Sequence, residues 1–195
     1  MEDEFVAREK KILSILEQEI ADGEEMADAV RAIAEELLLK EKGFAPSDIS
    51  RNVQFDVQLG SETARSRVDF IVSAGGKNAM VVKCAAGSLS SRERHVVAAA
   101  RVLASRPLMV AVVMDPMSAV VLDVQTGKVI AEGFDAIPTR EQLLTMVSEK
   151  EFTPYPAEKL EREKRVLLAF DAIQCCIPQG ADGGVSLADP GHTAK

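Results

Sequence analysis

Cysteine and histidine are scarce in this sequence. Three cysteines and two histidines among 195 residues are too few for a disulfide framework, and none stands at the spacing of a structural zinc site. Cys175 and Cys176 are adjacent and cannot bridge one another without strain. A reducing, cytoplasmic setting suits such a chain. Long apolar runs are also missing. The longest, Leu108 to Met114, falls far short of the roughly 20 residues needed to cross a bilayer, so no membrane role is expected. The N-terminus, Met1-Glu2-Asp3-Glu4-Phe5, is acidic and lacks the form of a signal peptide. Positive charge is in deficit: 23 Lys+Arg against 31 Asp+Glu leave a net charge of −8. That balance excludes a histone-like basic coat for nucleic acid. There is no internal repeat. What remains is a normal globular composition, 47% hydrophobic and 28% charged, sufficient for one domain with terminal extensions.

The charge deficit is uneven. Residues 1–50 hold 6 Lys+Arg and 14 Asp+Glu, residues 51–107 hold 9 and 4, and residues 108–195 hold 8 and 13. An acidic chain therefore carries a basic centre of +5, the difference between 9 and 4.

Periodicity divides the chain further. Residues 5–20 and 24–42 read as amphipathic helices, the second with Met26, Val30, Ile33 and Leu37 along one face and Gly43 as its stop. Residues 53–59 alternate as a half-buried strand. Residues 67–73 and 78–84 are expected to form a hairpin around Ala74-Gly75-Gly76-Lys77. A helix follows from Ser90 to about Ser105, with Ser90 and Glu93 as a capping box. Residues 108–114 read as a buried strand, and residues 118–123 and 128–132 as a second hairpin. Helices at 139–147, capped by Thr139 and Gln142, and at 157–173 complete the order. These elements predict an α/β fold, a mixed sheet flanked by helices. Its expected segments are an N-terminal helical extension (1–23), an α/β domain (24–150), a C-terminal helix (151–177) and a disordered tail (178–195).

Within the basic block, Asp69 interrupts the apolar run Arg67-Val68-Asp69-Phe70-Ile71-Val72, and Lys83 ends Met80-Val81-Val82-Lys83-Cys84. A three-residue hairpin loop (Gly75, Gly76, Lys77) sets position 69 opposite position 83, and opposed residues share a face. The αβββαβ order, with Asp on the second strand and Lys on the third, resembles the PD-(D/E)XK restriction-endonuclease-like fold. More narrowly, the stretch from about Glu24 to Leu144, through Ser66-Arg67-Val68-Asp69 and Val82-Lys83-Cys84-Ala85-Ala86-Gly87, is similar to the N-terminal nuclease domain of the type I restriction enzyme R subunit, a prokaryotic system. The helicase motor of such subunits does not fit within this length. The resemblance implies a Mg²⁺-dependent endodeoxyribonuclease in which two carboxylates hold the metal and a lysine stabilises charge. Asp69 matches the Asp and Lys83 the Lys. The acid expected two residues before the Lys is Val81, which cannot ligate Mg²⁺. Some relatives of the fold supply the missing carboxylate from the following helix, where Glu93 is the only acid. Glu35 or Glu36 would be an additional outer ligand.

Three functions follow as expectations. The first is a restriction-endonuclease-fold protein that binds DNA through its central basic face (Arg65, Arg67, Arg92, Arg94), with cleavage lost or weak and no cofactor. The second is an active Mg²⁺-dependent endonuclease whose catalytic set is Asp69, Lys83 and Glu93, with Asp69, Glu93 and Glu35 as metal ligands. The third is a protein-interaction module or homodimer, built on the acidic terminal helices, with no nucleic-acid role. Each residue also has a plainer reading. Asp69 and Lys83 make a cross-strand ion pair; Glu93 serves its capping box; Arg92 and Arg94 are solvated side chains placed against the helix dipole; Cys84 is a small core residue; His95 stands without a partner acid.

Overall fold

The computed structural model describes residues 25–85, 88–103, 108–149 and 155–175. Helix α1 (25–36) continues into a π-turn over Leu37–Glu41. Gly43, in the left-handed region at φ 74°, then stops it, and the Phe44 amide donates back to the Leu38 carbonyl at 3.1 Å. The buried stripe of this segment is Val30, Ala34, Leu37 and Leu38. Met26 and Ile33, expected on the apolar face, are exposed. The difference is a rotation of the buried face toward positions 34 and 38.

Six strands follow in spatial order β1 to β6: β1 (Ile49–Leu59), β2 (Glu62–Ala74), β3 (Lys77–Cys84), β4 (Val110–Met114), β5 (Ala119–Asp123) and β6 (Val129–Glu132). All neighbours are antiparallel except β3 and β4, which are parallel and joined through helix α2 (Ser90–Val102). A parallel pair requires such a crossover. Helix α3 (Arg140–Glu149) carries the expected capping box: the Thr139 amide donates to Gln142 Oε1 and the Gln142 amide to Thr139 Oγ1. Helix α4 (Ala157–Cys175) is the last described element.

The sheet is sandwiched between two helical layers. On one face Phe70, Val72, Met80, Val82, Val112 and Val121 pack against α1 and α3. On the other, Val57, Val68, Ile71, Val81, Ala111, Val113 and Leu122 pack against the Val96–Ala100 stretch of α2 and Leu167 of α4. The expected α/β architecture with a mixed, helix-flanked sheet is therefore present. The expected extension 1–23 and tail 178–195, with His192 and Cys176, lie outside the described residues.

Strand alternation breaks beside Asp69. Val68 belongs to the α2/α4 face and Phe70 to the α1/α3 face, although a two-residue period would put both on one side. Across the ladder, Ile49 and Val53 also change faces, and Asn52 between them has φ 55°. Asn52 and Asp69 are the pair omitted from an otherwise continuous β1–β2 register. The pleat therefore switches faces at Asp69, the kind of irregularity that re-aims a side chain.

Met80 is fully buried, whereas Met117 is 84% exposed. Met80→Ala should cost about 2–5 kcal/mol of stability and Met117→Ala less than about 0.5 kcal/mol, measured by urea denaturation of the two variants.

Candidate functional site

The β2–β3 hairpin places Asp69 and Lys83 together by a different route from the one expected. Its loop is the pair Gly75-Gly76, both with positive φ, rather than three residues. A register shift between Val72 and Ser73 then adds the missing step, and Phe70 pairs with Val82. Lys83 Nζ consequently lies 3.4 Å from Asp69 Oδ2.

Asp69 has no solvent-exposed side-chain surface. An unpaired carboxylate there would be prohibitively costly, and both of its oxygens are engaged. Oδ1 accepts from Arg31 Nη1 at 3.2 Å; Oδ2 accepts from the Cys84 amide at 2.8 Å and faces Lys83. Arg31, on α1, also donates to Asp28. The line Asp28–Arg31–Asp69–Lys83 thus alternates in sign and sums to zero. Lys83 Nζ is also 3.4 Å from the Arg67 carbonyl. Burial pushes the Lys83 ammonium below its ordinary pKa; Asp69 pulls it back, while the nearby charges of Arg67 and Arg92 add to the lowering. The same burial, with Asp69 beside it, pushes the Cys84 thiol up to about 12, so it is an unreactive core thiol.

The other expected site residues are distributed as follows. Arg67 is exposed and Arg92 half-buried, and both act on Lys83. Arg65 pairs across the strands with Asp56 at 3.1 Å, both exposed. Arg94 turns to the opposite side of α2 and donates to Glu163 Oε2 of α4 at 2.6 Å. Glu35 accepts twice from Arg51, at 2.9 and 2.6 Å, and Glu36 pairs with Lys40. Glu93 lines a groove between α2 and α4 that also holds Arg94 and Glu163. The capping box expected at Ser90 and Glu93 does not form: Leu89 is the N-cap and has no side-chain cap bond. Ser91 instead donates to the Ser88 carbonyl at 2.7 Å.

The donor set does not fit Mg²⁺. The metal needs several oxygen ligands, yet both oxygens of Asp69 are engaged by two cations and an amide. Val81, at the position of the second acid, is fully buried among apolar side chains. Among the described residues no three His, Cys, Asp or Glu side chains come together to hold a metal, so Asp69, Glu93 and Glu35 are not assembled into one.

Residues 26–138, more than half of the chain, match the family described as the Type I restriction enzyme R protein N terminus. The chain belongs to that family. The match ends before α3 and α4. No curated protein and no solved structure matches the chain. Among the described residues, no helix is long and apolar enough to cross a membrane.

Several residues of the site were not apparent from the sequence. Arg31 lies one turn before the buried Ala34 and two before Leu38, a position visible only once the buried stripe is known. On α4, Glu163 is 2% exposed and receives Arg94, Arg101 Nη1 at 3.0 Å and the Tyr155 hydroxyl at 3.0 Å. Burial opposes its ionisation, but the Arg94 hydrogen bond and the charges of Arg94 and Arg101 outweigh it, holding the carboxyl below its ordinary pKa. His95 does have an acid partner: its Nε2 lies 3.5 Å from Asp171 Oδ1, and its ring packs on Phe170.

Arg31→Met removes one partner of a fully buried carboxylate while Arg31 itself remains partly exposed, so it should cost about 1–3 kcal/mol in urea denaturation. A loss under about 0.5 kcal/mol would show that Lys83 and the Cys84 amide suffice for Asp69. A second expectation concerns acid. A carboxyl whose pKa is lowered by folding contributes stability above its unfolded pKa, and that contribution fades as pH falls through the folded value. Glu163→Gln should therefore be less stable than the parent near neutrality, and the gap should narrow below about pH 4.5. A gap constant from pH 7 to pH 3 would dissociate Glu163 ionisation from the docking of α4.

Proposed function

We propose that this R-protein N-terminal domain binds DNA through the cationic face around Lys83 and has lost Mg²⁺-dependent cleavage. The observation that carries this reading is the engagement of Asp69. Its oxygens meet Arg31, Lys83 and the Cys84 amide, and Val81 stands where the second metal-binding acid would be. Internal cations fulfil the neutralising role that a metal has in a cleaving relative. The alternating line from Asp28 to Lys83 is neutral, so Arg67 and Arg92 remain as uncompensated charge at its outer end. Phosphate contacts by such side chains give sequence-independent affinity and strong salt dependence. A cytoplasmic location accords with the free, buried Cys84 thiol. The family makes DNA processing the context, but a fold hosts activities without ensuring them.

Fluorescence anisotropy with a labelled 20-base-pair duplex tests this. Binding should weaken steeply with salt, and Arg67→Gln/Arg92→Gln should lower the slope of log K against log [salt] by about 2. In parallel, supercoiled plasmid incubated with Mg²⁺ or Mn²⁺ should remain intact. The reading fails if there is no salt-dependent binding, or if metal-dependent nicking appears and is abolished by Asp69→Ala.

A further inference from the structure

The start of α2 separates two sets of cations. On one side Arg67 and Arg92 both act on Lys83. Two residues on, and so on nearly the opposite side of the helix, Arg94 enters a groove of about 600 Å³ between α2, the turn after β5, and α4. The floor of that groove is fully committed. Arg101 is buried, donates to Glu163 and to the Val124 and Gln125 carbonyls, and stacks over the Tyr155 ring at 4.4 Å. Glu163 is in turn neutralised by Arg94 and Arg101. The rim differs. Lys159 and Arg162 are exposed, line the groove, and have no ion-pair partner among the described residues. Among those residues, Glu93 is the one remaining carboxylate lining it.

Helix α4 sorts its charges by face. Lys159, Arg162 and Glu163, spaced at i, i+3 and i+4, share the groove side. Glu158 and Glu161 do not line the groove, and Glu161 pairs with Arg165 on the surface. A helix with balanced composition thus presents two cations unpaired among the described residues, Lys159 and Arg162, to the groove.

We propose that the groove between α2 and α4 is a second phosphate-binding site, taking the phosphodiester backbone of the same DNA after it crosses the start of α2. This rests on the DNA-binding reading and adds to it two contact residues, Lys159 and Arg162, on a helix outside the matched family region. A helix is about 10–12 Å across, and each strand carries one charge per about 3.4 Å of duplex axis, so a duplex lying across α2 offers about three phosphates per strand over that width.

The test uses the full chain, the same labelled duplex and a salt titration. Lys159→Gln/Arg162→Gln should reduce the salt slope by about 2 and weaken binding at low salt by about tenfold or more. Lys164→Gln/Arg165→Gln removes the same charge from the same helix away from the groove, and should leave the slope within about 0.5 of the parent. Equal urea midpoints for the three proteins establish that folding is unchanged; Lys159→Glu alone serves if a double variant unfolds. If the parent binds with a steep slope and both double variants match it, the groove proposal is overturned and the DNA reading stands. If both lower the slope equally, diffuse charge rather than the groove is responsible, and the proposal is likewise overturned. If the parent shows no salt-dependent binding, the DNA reading fails and the groove proposal fails with it.

Discussion

A carboxylate with no solvent contact, Asp69, sets the terms for this domain. Burying that charge is tolerable only if it is paired and hydrogen-bonded, and the fold supplies three donors from three places. Arg31 comes from α1, Lys83 from the end of β3, and the Cys84 amide from the backbone next to it. No single element provides two of the side-chain partners. The first helix, the central hairpin and the sheet must therefore be in register before Asp69 is satisfied. The switch of faces at Asn52 and Asp69 makes this possible, since a regular β2 would hold residue 69 in fixed alternation between its neighbours. Asp69 is therefore a structural junction between helix, hairpin and sheet.

The second fixed point is Glu163. It joins α4 to α2 through Arg94 and Arg101, and Tyr155 closes the group over Arg101. Gly127 borders the same cluster: at φ 73°, a Cβ there would sit 3.1 Å from Arg101 Nη2. The β5–β6 turn is thus shaped to leave room for the guanidinium. This arrangement covers the apolar α2/α4 face of the sheet with a helix beyond the matched family region, so the sheet is closed on both sides.

The arrangement of elements was legible in the sequence because apolar spacing carries it. The three-strand meander, the buried β4 and the helices after it all appear, although β1 and β2 begin four and five residues earlier than expected, and the Thr139–Gln142 box forms as read. The pairing of Asp69 with Lys83 was also legible, though through two compensating departures. A hairpin loop one residue shorter than expected is offset by a one-residue register shift after Val72. What could not be read were contacts between residues distant in the chain. Arg31 and Asp69 are 38 positions apart, and Arg94 and Glu163 are 69 apart. Local pattern is silent on such pairs, because it shows which face a residue occupies and not what lies opposite. The capping box at Ser90 failed for a related reason: the motif was present, but the chain entered the helix one residue earlier, at Leu89.

These pairings also decide what the charge arithmetic means. Four arginines of the basic block were candidates for nucleic acid, and composition treats them as equal. The structure does not. Arg65 is matched by Asp56 and Arg94 is bound to a buried carboxylate, whereas Arg67 and Arg92 adjoin a lysine whose charge is disfavoured by burial and balanced by Asp69. A cation held by a buried partner is costly to redirect, since its departure strands the opposite charge. A cation beside an already satisfied pair costs little to redirect. Availability for an incoming phosphate therefore depends less on the count of positive residues than on which of them the fold has left uncompensated. By that criterion the acidic total of −8 and a locally cationic face are compatible, because most of the negative charge lies in the segments 1–50 and 108–195, and the carboxylate at the centre is internally neutralised.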